Sequence, residues 1–463
     1  MSTRAAKAPA GELAIVLHTH MPYVEGFGTW PFGEEWLWEA IATCYLPLLE
    51  VLGRAPITLS LTPVLCDQLE APRALERCLR FLREIRPESH RRDIAGARES
   101  RQPGLVEELE RSAAQYAAAA DRLEELGGDL LAALAPSASW TSAATHAVLP
   151  LLATDAGASV QVQTGIASHR RRFGDWAGGF WLPECAHASW LDPLLEEAGA
   201  RATCVELTDL FGLGSPRHLT PLVSDDGPVL WPIDRQTMSL VWSEQGYPSA
   251  PGYRDYHRLT AHHHHVWCND GTPYDHQAAL ALTREHAADF VARVCARVRD
   301  GGLCVCALDT ELLGHWWYEG VDWLREVLEE SARQGLGLTG LDDALAVRNP
   351  EPAPEHAPTT SWGEGRDLST WSGPAVADLA WQARSAELRT MAAGTDAPER
   401  AVRELLALQS SDWAFLAARG LAGDYPRRRA AGHLQALEQA LSGGGSTDSA
   451  VRHLAPTLYG RLY

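Results

Sequence analysis

The sequence predicts an α/β fold in which helices wrap a parallel sheet and a helical domain closes the chain. Three observations carry this expectation. Short continuous apolar runs such as Leu13-Ala-Ile-Val-Leu17 have the character of strands buried on both faces. Segments with apolar residues at helical spacing fall between several of these runs, and strand–helix–strand order argues for a parallel sheet. After a proline-rich stretch at 350–358 the composition turns to the Ala, Leu, Arg and Glu of helices. At 463 residues the chain can bury a full core without disulfide staples, and its length suits one large barrel with additions.

In chain order, residues 1–12 are expected to form a disordered leader, without the apolar segment of a secretory signal. A strand follows at 13–17. Residues 34–52 show helical spacing, opened by Glu34 and Glu35 and closed by Gly53. A second strand is predicted at 57–65. From 67 to 134 the pattern is strongly helical and charged, which marks a helical insertion. Strands resume at 138–145, 179–185, 202–207, 229–233 and 303–308, with a last one at 336–341. Helices fall at 149–171 and 275–299. A catalytic barrel would then occupy 13–349, a linker 350–358 and a C-terminal helical domain 359–463. The tract His262-His-His-His265 is expected on a solvent-exposed loop able to hold a metal adventitiously.

Composition narrows the function. Asp and Glu outnumber Lys and Arg by 60 to 40, a net charge of −20 that repels phosphate backbones and anionic lipid, so neither nucleic acid nor membrane is an expected partner. No apolar run is long enough to span a bilayer. Nine scattered cysteines without paired zinc spacing fit buried, reduced thiols of a cytoplasmic protein. Trp (17) outnumbers Phe (8) and Tyr (11). Such rings either stack on sugars or fill the core of a large barrel.

Three segments carry candidate chemistry. His18-Thr-His20 follows the first strand, and side chains two apart on a strand share a face. Two imidazoles at the active end of a barrel can bind a metal or donate hydrogen bonds, although packed strand-end histidines would look the same. Trp181-Leu-Pro-Glu184 ends a second apolar strand in a carboxylate, which is costly to bury unless it is paired or used. Asp309-Thr-Glu-Leu-Leu-Gly-His315-Trp-Trp-Tyr ends a third in the same way, with aromatic rings beside it. Two strand-end carboxylates facing across a barrel mouth are what glycoside cleavage needs.

These motifs, taken together, resemble glycoside hydrolase family 57, and within it the glucan branching enzymes. His18-Thr-His-Met-Pro-Tyr is similar to the family's first region, and Trp30-Pro-Phe-Gly-Glu-Glu-Trp36 follows it as in branching enzymes. Ala144-Thr-His146, Trp181-Leu-Pro-Glu184-Cys and the Asp309 segment are similar to the second, third and fourth regions. Ser361-Trp362-Gly, Trp371 and Ser410-Ser-Asp412-Trp413 are similar to its C-terminal helical region. The resemblance implies an incomplete (β/α)7 barrel with a helical insertion and a C-terminal α-helical domain that contributes to the cleft. It implies a retaining mechanism on α-1,4-glucan such as amylose or glycogen-like polysaccharide, with Glu184 as nucleophile and Asp309 as acid/base. His18, His20, Trp36, His146, Trp242, His315, Trp362, Trp371, Asp412 and Trp413 would bind substrate, and no metal or cofactor is expected. The chain departs from the pattern in places. The stretch from Glu184 to Trp242 is shorter than in well-matched branching enzymes, whose mobile loop there shields the intermediate from water. Ile233-Asp-Arg-Gln stands near the usual Gly-Arg-Asp, and Ala307-Leu308 replaces a Pro-aromatic pair. A shortened lid lets water compete with the acceptor, so an α-amylase-type hydrolase of the same family is the alternative.

Overall fold

The strands, in chain order, are β1 (Glu12–Thr19), β2 (Thr58–Leu61), β3 (Ala138–Ser142), β4 (Gly179–Trp181), β5 (Ala202–Val205), β6 (Leu222–Val223), β7 (Val229–Pro232), β8 (Leu303–Asp309), β9 (Gly337–Leu338) and β10 (Glu351–Pro352). The computed structural model describes residues 10–29, 32–224, 226–355, 357–443 and 453–458. The leader expected at 1–12 therefore lies largely outside the described residues, and its last residue, Glu12, already opens β1. Trp30 of the aromatic motif is also outside them.

Seven parallel strands form the curved sheet, in the order β8-β1-β2-β3-β4-β5-β7. β6 pairs antiparallel with the outer edge of β7 and parallel with β10, while β9 pairs with β1. The two ends of the sheet approach each other without a ladder. Asp234, just after β7, donates its backbone N–H to the Val305 carbonyl of β8 at 2.8 Å. This seam is the incompleteness of the barrel. Leu13 to Leu17 of β1 are all buried, as a strand covered on both faces must be.

Local chemistry explains where elements begin and end. The predicted strand at 57–65 stops at Leu61, because Pro63 opens the helix Pro63–Leu69; its fixed φ and missing N–H suit a first helical turn. The predicted helix at 34–52 is present but contains a π turn at Ile41–Tyr45. That turn carries Cys44 and Tyr45 against the end of β8. The Cys44 thiol donates to the Thr310 carbonyl at 3.1 Å and the Tyr45 hydroxyl to Glu311 at 2.6 Å. Between β2 and β3 the chain is helical, with Arg86–Glu99 and Pro103–Glu125 as its longest elements.

The histidine tract is not the exposed loop expected from the sequence. His264 is buried, its ring centroid 3.7 Å from that of His90 and its Nε2 3.0 Å from Ser89 Oγ. His262 Nδ1 lies 2.7 Å from Asp93 Oδ1. The tract packs the loop onto the helical insertion, because four imidazoles offer both flat surface and hydrogen-bond sites. The proline-rich stretch is also held in place, through the pairing of β10 with β6.

The C-terminal helices Ala377–Ala393, Glu399–Leu408, Ser411–Arg419 and Tyr425–Leu441 form their own apolar cluster and lie across the barrel mouth. Buried polar contacts fasten them. Glu387 accepts from the Ala153 N–H (3.0 Å), the Thr154 N–H (2.8 Å), the Thr154 hydroxyl (2.7 Å) and Gln409 Nε2 (3.0 Å). The Arg429 guanidinium sits 3.4 Å from the ring centre of Phe27, which belongs to the loop after β1.

Candidate active site

Strand register brings the site together. His18 of β1 lies opposite both Ser60 of β2 and Asp309 of β8. His20 follows at the open end of β1, His146 in the loop after β3 and Glu184 in the turn after β4. Glu184 has φ 62°, in the left-handed region that a side chain with a Cβ rarely adopts, and His146 has φ 59°. Such backbone strain persists only where surrounding contacts hold it. Here the Trp362 N–H donates to the Glu184 carbonyl at 3.0 Å, and the Ser411 N–H to the His146 carbonyl at 3.1 Å.

The side chains form one network. The Trp362 indole N–H donates to Glu184 Oε2 at 2.9 Å. His18 Nε2 lies 2.8 Å from His146 Nε2, and His146 Nδ1 lies 2.8 Å from Ser411 Oγ. His20 Nε2 is 2.9 Å from Asp412 Oδ1, and its backbone N–H donates to Glu311 Oε1 at 3.1 Å. The rings of His18 and Trp181 stack with centroids 4.7 Å apart, and Trp181 meets Trp362 at 5.0 Å. Arg235 fixes the Trp362 loop, donating to its carbonyl at 2.7 Å and to Glu206 at 3.0 Å.

Burial raises both central carboxyls, and only at Glu184 is the rise opposed. Burial lifts Asp309 well above the usual carboxylate range, and Glu184, Glu311 and Asp412 all add to it. Burial also raises Glu184, and Asp412 adds to this, but hydrogen bonds from Trp362 and Ser411 and the nearby His20 oppose the rise. The influences on Asp309 all favour its protonated form, while at Glu184 the rise is partly offset. Burial pushes Glu311 up to about 7, against the hydrogen bond from Tyr45. Burial lowers His18 and His146 far below the ordinary imidazole value, and His20 lowers both further. For His20 burial acts the same way, but Asp412, Glu311 and Glu184 outweigh it and raise it.

Of the residues predicted from sequence, His18, His20, His146, Glu184, Asp309, Trp362 and Asp412 converge. Trp36 lies at the seam with the C-terminal helices, between Phe32 and Tyr425 with both ring centroids at 5.8 Å. His315 belongs to a neighbouring aromatic group with Tyr256 and Trp316 (6.1 and 6.5 Å), and burial, with help from Arg86, lowers it to about 4. Trp242 is 38% exposed at the end of the helix Arg235–Trp242. Two expectations need correction. Trp371 and Trp413 are 2% and 1% exposed, in the core of the C-terminal cluster, and the Trp413 indole donates to the Ala407 carbonyl at 2.7 Å. Both rings are buried in the apolar cluster of the C-terminal helices.

Sequence reading gave no role to Glu311, Tyr45, Ser60, Ser411 or the Arg235–Glu206 pair. Glu311 carried a signal, since it stands two residues beyond Asp309 in the same carboxylate-rich strand end. Ile233-Asp234-Arg-Gln, which departs from the family pattern, is structural. Asp234 caps its helix through the Thr237 N–H at 2.9 Å and pairs with Arg297 at 2.7 Å. Among the described residues no group of three or more His, Cys, Asp or Glu could hold a metal ion.

Comparison with known proteins agrees with this geometry. The model of glycosyl hydrolase family 57 matches residues 140–340, and that of the 1,4-alpha-glucan branching enzyme C-terminal region matches 377–454. A probable 1,4-alpha-glucan branching enzyme of Mycobacterium tuberculosis is 32% identical over 95% of this chain and 93% of its own length. A 1,4-alpha-glucan branching enzyme of Thermococcus kodakarensis is 31% identical over 90% of this chain and 71% of its own. The crystal structure of a branching enzyme of this family from Pyrococcus horikoshii superposes with a TM-score of 0.85 at 30% identity, covering 97% of this chain and 94% of that one. Fold, strand-end carboxylates and whole-length similarity agree: the chain belongs to glycosyl hydrolase family 57.

Proposed function

We propose that this chain is a retaining 1,4-alpha-glucan branching enzyme in which Glu184 is the nucleophile and Asp309 the acid/base. The observation that carries the assignment is the placement of two partly buried strand-end carboxyls around the imidazoles of β1: Asp309 lies opposite His18 in the strand register, and Glu184, in the turn after β4, accepts the Trp362 indole N–H at 2.9 Å. The Glu184 carboxylate attacks the anomeric carbon as the bond to the leaving oxygen breaks, and Asp309 gives that oxygen its proton. The resulting glucosyl ester is then attacked by the 6-hydroxyl of a second glucan chain. Asp309 takes the proton of that hydroxyl, Glu184 leaves as the carboxylate, and an α-1,6 branch is formed.

The substrate in this reading is an α-1,4-glucan of amylose or glycogen type. His18, His20 and His146 line the sugar site, with Trp36, Trp242 and the His315–Trp316 group along the cleft. The barrel at 13–349 supplies both carboxyls, and the domain at 359–463 closes the site with Ser411 and Asp412. A cytoplasmic role in glycogen synthesis agrees with the buried thiols of Cys44, Cys66, Cys78, Cys185, Cys204, Cys268, Cys304 and Cys306. No helix among the described residues is long and apolar enough to cross a membrane.

Incubation with amylose tests the reading. Branching removes iodine colour with few new reducing ends, and a debranching enzyme then releases short chains. Reducing ends that rise in step with colour loss would instead make the protein an amylase-type hydrolase, as the short stretch between Glu184 and Trp242 allows.

A further inference from the structure

We infer that Arg235 is a positioning residue for the Glu184 nucleophile: its guanidinium clamps the carbonyl of Trp362, a residue whose backbone and indole N–H groups both donate to Glu184. The inference rests on the reading of Glu184 as nucleophile. Every link is a hydrogen bond of fixed direction, because each donor is an N–H and each acceptor an oxygen. Arg235 Nε donates to Glu206 Oε2 at 3.0 Å and Arg235 Nη2 to the Trp362 carbonyl at 2.7 Å. The Trp362 backbone N–H donates to the Glu184 carbonyl at 3.0 Å, and its indole N–H to Glu184 Oε2 at 2.9 Å.

Trp362 therefore holds Glu184 at two points. The bond to the carbonyl supports a backbone turned to φ 62°, which a residue with a Cβ keeps only under restraint. The bond to Oε2 opposes rotation of the carboxylate, so the attacking group keeps one orientation. Both bonds depend on where the Trp362 segment sits. Thr360 exchanges backbone hydrogen bonds with His187, at 2.9 and 3.0 Å, so the segment runs antiparallel beside the turn that carries Glu184. That bridge holds the segment two residues before the tryptophan. The Arg235 contact holds it at the tryptophan itself.

The arginine stands on a fixed base. It is the first residue of the helix Arg235–Trp242, and Asp234 before it is pinned three ways. The Asp234 N–H donates to the Val305 carbonyl at 2.8 Å, and its carboxylate accepts from the Thr237 N–H at 2.9 Å and from Arg297 Nε at 2.7 Å. Glu206 is fully buried, supplies the counter-charge to Arg235 and is itself oriented by the Thr208 N–H at 2.7 Å. A planar guanidinium holds two acceptors at a set spacing, whereas a lysine ammonium on a flexible stem brings the charge without the fork. The segment Ile233-Asp-Arg-Gln thus links the ends of β5 and β7 to the turn after β4, with Trp362 as the connecting piece.

Two measurements on the full-length protein test this. Arg235→Met should lower kcat on amylose by about tenfold to a hundredfold, as a small displacement at the reacting centre does, while KM changes by less than about threefold. In nitrogen–proton NMR of tryptophan-labelled protein, the Trp362 indole signal is identified by its loss in Trp362→Phe. It should move in Glu184→Gln, which removes the charge it donates to, and again in Arg235→Met. An indole signal that keeps its wild-type position in either variant, or an unchanged kcat in Arg235→Met, overturns the inference. Arg235→Lys separates the clamp from the charge. It should retain most of the loss in kcat and the displaced signal, and full recovery of both would refute the clamp. Should Arg235→Met not fold, Arg235→Lys, which keeps a cation beside Glu206, decides by the same two readouts. Retained turnover in Glu184→Gln would sink the nucleophile assignment separately, while the indole signal in Arg235→Met still reports the clamp.

Discussion

His20 Nε2 and Asp412 Oδ1 lie 2.9 Å apart, although one ends the first strand of the barrel and the other stands in a helix near the far end of the chain. Both side chains are about nine-tenths buried, at 11% and 10% exposure, so the contact is made away from bulk water. Asp412 is in turn oriented by the Ser410 hydroxyl. The pair couples the seating of the C-terminal domain to the charge on a histidine beside Glu184 and Glu311.

Asp412→Asn should therefore lower stability in a pH-dependent way. His20 is raised in the folded protein, so its contribution is fully present below the unfolded imidazole value of about 6.5 and is lost as pH rises through the folded value. The variant should lose roughly 1.5–3 kcal/mol at pH 6 and less at pH 9. Denaturant unfolding at both pH values measures this. An equal loss at both would show that His20 is not charged in the fold.

Glu184→Gln should reduce turnover on amylose by about three orders of magnitude or more with little change in melting temperature. The amide keeps the shape and can still accept from Trp362, but it cannot attack the anomeric carbon.

Asp309→Asn should slow both chemical steps, and glucosides with poor leaving groups should suffer more than activated aryl glucosides, by about tenfold to a thousandfold. Equal losses on the two substrate classes would remove Asp309 from the acid role.

Glu311→Gln tests the charge beside the acid. Glu311 helps to keep the proton on Asp309, so its removal should lower the Asp309 pKa and move the basic limb of kcat/KM to lower pH. A basic limb that stays in place would mean that Glu311 serves only to anchor Tyr45 and the His20 backbone.

Glu387→Ala should loosen the C-terminal domain. The buried carboxylate satisfies two backbone N–H groups, one hydroxyl and one amide, and alanine orphans them together. A loss of about 3–5 kcal/mol is expected, read by denaturant unfolding. Earlier protease cleavage at 370–440 than in the barrel would locate it.

Much of the site was legible in the sequence because strand-end chemistry is local. An apolar run that ends in Glu184 or Asp309 declares both a buried strand and a carboxylate at its mouth, and His18 and His20 share a face by the two-residue period of a strand. The helix expected at 34–52 announced itself by its spacing, its acidic opening and Gly53, and the helix expected at 275–299 is present as His276–Arg297. The π turn did not, since Ile41 to Tyr45 satisfy the ordinary helical pattern, and only their packing against Thr310 and Glu311 reveals the extra residue in the turn.

The sequence by itself determined where the principal strands fall along the chain, the residue types at their ends and the motifs that resemble the family, because these depend on neighbours a few residues apart. Only the tertiary structure decided that Ser411 and Asp412 reach His146 and His20, that Trp371 and Trp413 are core, and that His264 of the histidine tract is buried. Burial and hydrogen-bond partners are set by contacts between segments hundreds of residues apart, and the same tryptophan or histidine is a ligand, a wall or a wedge according to what those distant segments place against it.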